Sequence, residues 1–220
     1  MNFENCYFLI PARKGSKGFP LKNRKLFEYT IDAIPEEFKS KIYVSTDDEY
    51  IKELAKERKI NIVDRPKELA QDKTSMKQVL NHFIKIQNIT CNDDIILLYL
   101  TYPERTWKDI KDIYSRYTEI KEKSLVCCEE VEEHPYLCFH EKENNKAELA
   151  IKHNLYRRQD YPSCLRLSMF VACYTPDIVD DLHDLMFDKN TYFYKLKKHK
   201  VDVDYLEQFT NISKEEMNKQ

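Results

Sequence analysis

Only two glycines occur in 220 residues, Gly15 and Gly18, and they stand three positions apart. Average usage would supply about fifteen. A chain that has dispensed with glycine elsewhere keeps it where the backbone must turn tightly or touch a ligand closely. Arg13, Lys14, Lys17 and Lys22 surround the pair, directly after the apolar run Tyr7-Phe8-Leu9-Ile10. A strand opening into a basic, glycine-containing loop is a phosphate cradle in outline, because backbone N–H groups and cations converge there.

The spacing alone leaves other readings open. G-x-x-G is neither the dinucleotide fingerprint nor the Walker loop, and a strand-to-helix turn with solvated lysines accounts for it equally well. A G-x-x-G loop also clamps an RNA backbone in KH modules. There it joins two helices, whereas here it follows a strand.

A chain of this length fits one domain, 1–220, able to bury a full core, with 42% hydrophobic residues, 15 tyrosines and 11 phenylalanines. The net charge of −2 comes from interspersed charges of both signs, which gives no polyanion-binding field and no expected nucleic-acid partner. No apolar run reaches the ~18–20 residues of a membrane span and the first residues lack a signal-peptide pattern, so an intracellular, cytoplasmic location is expected. Seven cysteines without a C-x-x-C argue against a disulfide framework or zinc knuckle. Adjacent Cys127 and Cys128 read as buried free thiols on a strand.

Apolar strand-like runs alternate with helical periodicity. Strands are expected at 7–10, 41–45, 60–63, 94–100, 124–128, 165–174 and 192–196, and helices at 25–34, 49–58, 75–87, 107–120 and 177–187. This rhythm indicates an α/β fold with a mostly parallel sheet, in which ligands bind beyond the carboxyl ends of the strands. Between 134 and 165 the rhythm breaks: two short strands, 136–140 and 148–152, flank a polar turn, as in an inserted hairpin lobe.

Four further stretches could carry chemistry. Val201-Asp202-Val203-Asp204 alternates, so a strand there buries the valines and projects both carboxylates together. Paired carboxylates with oxygen-only ligation suit Mg²⁺, and two solvated aspartates on an exposed face are the plain alternative. Thr46-Asp47-Asp48 reads as a helix cap. Arg65 opens a polar connector that ends at the helix-start residues Thr74 and Ser75. Arg157-Arg158-Gln159-Asp160 sets two arginines beside tyrosines, a pattern that can hold a carboxylate or phosphate bidentately.

Taken in order, these segments resemble the acylneuraminate (CMP-sialic acid) cytidylyltransferases and the related CMP-Kdo synthetases. Ile10-Pro-Ala-Arg13-Lys-Gly15-Ser16-Lys17-Gly18-Phe-Pro-Leu-Lys22-Asn23 is similar to the opening I-P-A-R-x-G-S-K-G-x-P-x-K-N of that family. Val44–Asp48 looks like its V-S-T-D-D, Arg65–Asp72 its R-P-x-x-L-A-x-D, Arg157–Pro162 its R-R-Q-D-x-P, and Asp202/Asp204 its final D-x-D. The resemblance implies a Rossmann-like nucleotidyltransferase fold, with 134–165 as an inserted dimerisation lobe. It implies CTP and a 2-keto-3-deoxy sugar acid as substrates, CMP-sugar and pyrophosphate as products, Mg²⁺ as cofactor and a homodimer. Arg13, Lys17 and Lys22 would be the catalytic cations. Arg13, Gly15, Ser16, Lys17, Gly18, Asn23, Arg65, Thr74 and Ser75 would hold CTP, and Asp202 and Asp204 the metal. Arg157, Gln159, Tyr99 and Tyr102 would face the sugar acid. The chain departs from the pattern where the family has L-L-Q-P-T-S-P-L-R: Tyr99 replaces the glutamine and Tyr102 the serine. Ser168-Met169-Phe170 likewise replaces N-G-A. These changes imply an altered sugar pocket, or a protein that binds a nucleotide sugar without turning it over.

Overall fold

The computed structural model describes residues 3–15 and 18–217, and side chains within these as far as Ile212. Nine strands and five α-helices are defined among them: β1 (Cys6–Pro11), α1 (Lys22–Asp32), β2 (Ile42–Thr46), α2 (Glu49–Glu57), β3 (Asn61–Asp64), α3 (Met76–Gln87), β4 (Asp94–Leu97), α4 (Trp107–Glu119), β5 (Ser124–Glu130), β6 (Phe139–Lys142), β7 (Lys146–Leu149), β8 (Leu165–Tyr174), β9 (Tyr192–Lys195) and α5 (Leu206–Met217).

Seven strands form one sheet in the order β3-β2-β1-β4-β8-β5-β9, and only β8 runs antiparallel to its neighbours. The sheet is covered on both faces. Phe8, Ile10, Ile96, Leu125 and Cys127 point into one core with Leu26, Phe27, Ile110 and Ile113 of α1 and α4. Leu9, Ile95, Leu97, Val126 and Ala172 point into the other, against Leu80 and Phe83 of α3. Because both faces are buried, the central strands read as continuous apolar runs rather than alternating ones.

Local chemistry sets the helix starts. Ser75 and Gln78 form a reciprocal capping box at α3, as Thr106 and Asp109 do at α4. Asp48 caps α2 by accepting from Tyr50 N–H, and Arg24 of α1 grips the same carboxylate with two bonds of 2.8 Å.

Two expected elements are corrected. Residues 177–187 form no α-helix. The chain makes a short 3₁₀ segment, Pro176–Asp181, and then turns back, with Met186 at φ 67°. Side chains take the bonds a helix would need. Lys77 donates to the carbonyls of Asp180 and Leu182, and His183 Nδ1 accepts from Leu185 N–H. The segment still fills the second core through Val179, Leu182 and Met186.

Residues 201–204 are extended but join no sheet. Val203 N–H donates to Thr101 O, after which Gln208 Oε1 accepts from Asp204 and Tyr205 N–H and diverts the chain into α5. The expected alternation survives, since Val203 is buried while Asp202 and Asp204 are exposed. The hairpin also shifts. Its strands β6 and β7 close a turn of 143–145, where Asn144 and Asn145 both take positive φ.

Arg105 links the layers. It is 3% exposed, and its guanidinium donates to Phe170 O on β8, Tyr99 O beyond β4 and Thr30 Oγ1 on α1. Burial pushes its pKa down to about 10, which leaves it charged at neutral pH. Arg105→Leu would strand two buried carbonyls and should cost about 3 kcal/mol in urea unfolding.

The seven cysteines are free. Cys6, Cys127, Cys128 and Cys173 are buried, Cys91 and Cys138 exposed and Cys164 intermediate. Burial pushes the Cys6 and Cys127 thiols up to about 12, so they stay protonated and unreactive. A disulfide-exchange reagent at neutral pH should label Cys91 and Cys138 promptly and Cys164 slowly. The other four should react only on unfolding.

Candidate active site

The carboxyl ends of β1, β3 and β4 open onto one cleft of about 360 Å³. Its walls come from Arg13, Gly15 and Gly18 after β1, Lys22 and Asn23 of α1, Arg65 after β3, Tyr99 and Thr101 after β4, and Asp204 and Tyr205 before α5.

The two glycines do different work. Gly15 has φ +83° with open space around it, so it supplies left-handed backbone. At Gly18 a Cβ would meet Asp204 O at 2.8 Å and the Tyr205 ring at 3.3 Å. Gly18 thus lets the basic loop close on the acidic segment. Asn23 Nδ2 steadies the loop from α1 by donating to Arg13 O at 2.9 Å. Asp47 Oδ1, just after β2, steadies it by accepting from Lys14 N–H at 2.6 Å. Leu21, in left-handed backbone at φ 59°, turns the chain into α1.

Opposed charges meet across the cleft. Lys22 Nζ donates to Asp204 Oδ1 at 2.7 Å, with the lysine side chain 13% exposed. Arg13 pairs with Asp72 at 2.8 Å. Arg65 is buried against β2, where Nε donates to Ser45 Oγ and Nη2 to Ser45 O. Burial pushes its pKa down to about 10, and Arg13 works in the same direction while Asp47 opposes it. It remains a cation at neutral pH, desolvated and set in the cleft wall, where an anion is held strongly.

Below the cleft, the Tyr102 hydroxyl donates to Asp202 Oδ2 at 3.1 Å. Burial, followed by the charge of Asp202, pushes the phenol's pKa up, so it stays a donor.

Other expected site residues stand elsewhere. Thr74 Oγ1 donates to Glu68 O and Ser75 caps α3, so the cleft wall on that side is Met76. Arg157 and Gln159 are exposed in the 134–165 segment, and Arg157 makes a two-pronged pair with Asp160. Ser16 and Lys17 lie outside the described residues. Residues that sequence reasoning missed include Thr101, Met76 and Tyr205. Thr101 and Tyr205 carried a signal, since each adjoins a stretch already singled out. Among the described residues no group of three or more His, Cys, Asp or Glu could hold a metal. Asp202 and Asp204 offer two carboxylates, one bonded to Tyr102 and the other to Lys22, and carboxylate oxygens are of the ligand type that Mg²⁺ takes.

A mostly parallel sheet with a cationic cleft beyond its carboxyl edge places the chain in the α/β nucleotidyltransferase fold. A solved CMP:2-keto-3-deoxy-manno-octonic acid synthetase in complex with CTP superposes with TM-score 0.66 at 14% identity, covering 99% of this chain and all of that one. A 4-diphosphocytidyl-2C-methyl-D-erythritol synthase from Anaerococcus prevotii superposes at 0.59 and 12% identity, over 97% of this chain and 100% of the other. The family model for cytidylyltransferases matches residues 7–219, and the chain belongs to that family. An N-acylneuraminate cytidylyltransferase of Streptococcus agalactiae serotype V is 31% identical over 93% of this chain and 51% of its own length. One from Escherichia coli is 33% identical over 54% of this chain and 29% of its own. The chain thus spans about half the length, or less, of these curated relatives.

Gly18→Ala should cost about 1–3 kcal/mol in urea unfolding, because the Asp204 backbone must retreat to admit the methyl group. Gly15→Ala meets no atom and bears only left-handed backbone strain of about 1–2 kcal/mol.

Proposed function

We propose that the protein is a cytidylyltransferase that joins CTP to a sialic-acid-like 2-keto-3-deoxy sugar acid, releasing pyrophosphate. The observation that carries this reading is the meeting of Arg13, Lys22 and Arg65 with Asp204 in one cleft, closed by the contact at Gly18. A triphosphate brings negative charge to such a place, and the cations offset it. In the reaction the anomeric hydroxyl oxygen bonds to the α-phosphorus as the α–β bridging bond breaks. The electron pair leaves on pyrophosphate and the hydroxyl proton passes to solvent.

Such a displacement depends on alignment and charge neutralisation more than on covalent catalysis. Lys22 emerges from the first turn of α1, where it can follow charge onto the departing pyrophosphate once the nucleotide draws it from Asp204. Arg13 would exchange Asp72 for phosphate, with Lys17 and Ser16 assigned to the same loop by family resemblance. Arg65 and Asn23 would border the base and ribose, with Thr74 and Ser75 set behind Met76. Asp202 and Asp204 would hold Mg²⁺, which when bound shields the phosphates and favours ionisation of the attacking hydroxyl.

The sugar acid would sit toward Tyr99 and Tyr102. Arg157 and Gln159 would reach it from a second subunit, since they stand in a segment whose Phe139, Ile151 and Tyr156 are exposed. That arrangement would need a homodimer formed through 134–165. Phe139→Asp together with Tyr156→Asp should then yield a monomer by sedimentation, with the apparent KM for the sugar acid raised more than tenfold.

Pyrophosphate release from CTP with a panel of sialic-type and Kdo-type acids tests the reaction. Asp204→Asn is expected to lower turnover at least a hundredfold while CTP still binds. Wild-type protein that binds CTP yet releases no pyrophosphate with any acid would leave the reading of a non-catalytic nucleotide-sugar binder, to which the enlarged residues Tyr99, Tyr102 and Met169 also point.

A further inference from the structure

Facing the sugar acid does not account for how the Tyr102 hydroxyl is held. Its side chain is 4% exposed. The ring meets Phe170 edge-on, with centroids 5.5 Å apart and planes at 84°. Its backbone is held too: Tyr102 O accepts from Arg105 N–H, and the Arg105 guanidinium grips Tyr99 O and Phe170 O on either side of the ring. A phenol so enclosed has little freedom, and its hydroxyl donates to the Asp202 carboxylate at 3.1 Å. Ser168 Oγ and the Met169 backbone N–H stand beside the same hydroxyl as donors to its oxygen. That leaves the phenol proton for Asp202.

The acidic segment needs such a hold. It joins no strand, and Val203 N–H to Thr101 O is its backbone tie to the loop after β4. Thr101 and Tyr102 are consecutive, so one rigid turn fixes both the backbone at 203 and the carboxylate at 202. Asp204 is steadied separately by Lys22.

We propose that Tyr102 is a positioning residue for Asp202, holding its carboxylate through Oδ2 where it would help bind the divalent cation that accompanies the nucleotide. The inference rests on the cytidylyltransferase reading above and adds to it a role for a tyrosine where the resembling sequences carry serine. Partners that orient a ligand in this way govern metal affinity without touching the metal, by about tenfold or more. The hydroxyl therefore acts on metal use, apart from any contact the ring makes with the sugar acid.

The test is Mn²⁺ binding to the full chain, followed by electron paramagnetic resonance with a non-hydrolysable α,β-methylene analogue of CTP. Wild type, Tyr102→Phe, Tyr102→Met and Asp202→Asn are compared. Both Tyr102 variants should bind Mn²⁺ about tenfold more weakly, and in turnover the metal concentration for half-maximal rate should rise similarly while KM for CTP stays within twofold. Phe keeps the ring against Phe170, so its unfolding midpoint should stay near wild type. Met tests the loss of the hydroxyl in a second filling of the same space. Mn²⁺ affinity unchanged or tighter in either variant overturns the inference. The Asp202→Asn arm separates the two levels. If that variant loses Mn²⁺ and Tyr102→Phe does not, only the positioning role fails. If wild type binds Mn²⁺ no better than Asp202→Asn, the metal reading fails with it.

Discussion

A buried guanidinium that has no carboxylate at hydrogen-bond distance among the described residues ties three elements of this molecule together. Arg105 donates to two carbonyls and a hydroxyl drawn from β8, the loop after β4, and α1. Burying a charge is costly unless its hydrogen bonds are made. The arrangement is therefore tolerable only while all three elements stay in place. The loop between Tyr99 and Arg105 cannot drift, and it is this loop that presents Thr101 to Val203 and Tyr102 to Asp202. The positions of the acidic residues are inherited from a cation buried well beneath them.

The second constraint is closeness of approach. The basic loop after β1 and the acidic segment before α5 are about 190 residues apart in sequence, yet their backbones touch at Gly18. Contact at that range brings a lysine and an aspartate together across the cleft. It also explains why glycine persists here and nowhere else. Other left-handed positions, at Leu21, Lys59, Asn88, Asn144, Asn145 and Met186, carry side chains, and asparagine tolerates that backbone well.

Much of the fold was legible because its signals are local. Helix periodicity, the Ser75–Gln78 and Thr106–Asp109 boxes, the cap at Asp48 and the doubly buried strands can each be read within a dozen residues. The failures share a cause. At 177–187 the apolar spacing suits a helix, but a lysine from α3 and a histidine within the segment claim the backbone groups. At 201–204 the alternation was right and the strand was not, because Gln208 takes the N–H groups that a sheet would have used. Side-chain to backbone competition, whether from a residue two to four positions away or from another helix, leaves no periodic trace.

The sequence by itself determined the α/β layering, the basic glycine loop and the family to which the chain belongs, since periodicity and ordered motifs survive without coordinates. Only the tertiary structure decided how the pieces face one another. It put Lys22 on Asp204, set Arg65 into the cleft wall, withdrew Thr74 and Ser75 behind Met76, and turned Tyr102 toward Asp202. Hydrogen bonds and ion pairs act over about 3 Å, so they depend on where folding brings side chains to rest, and spacing along the chain does not encode that distance.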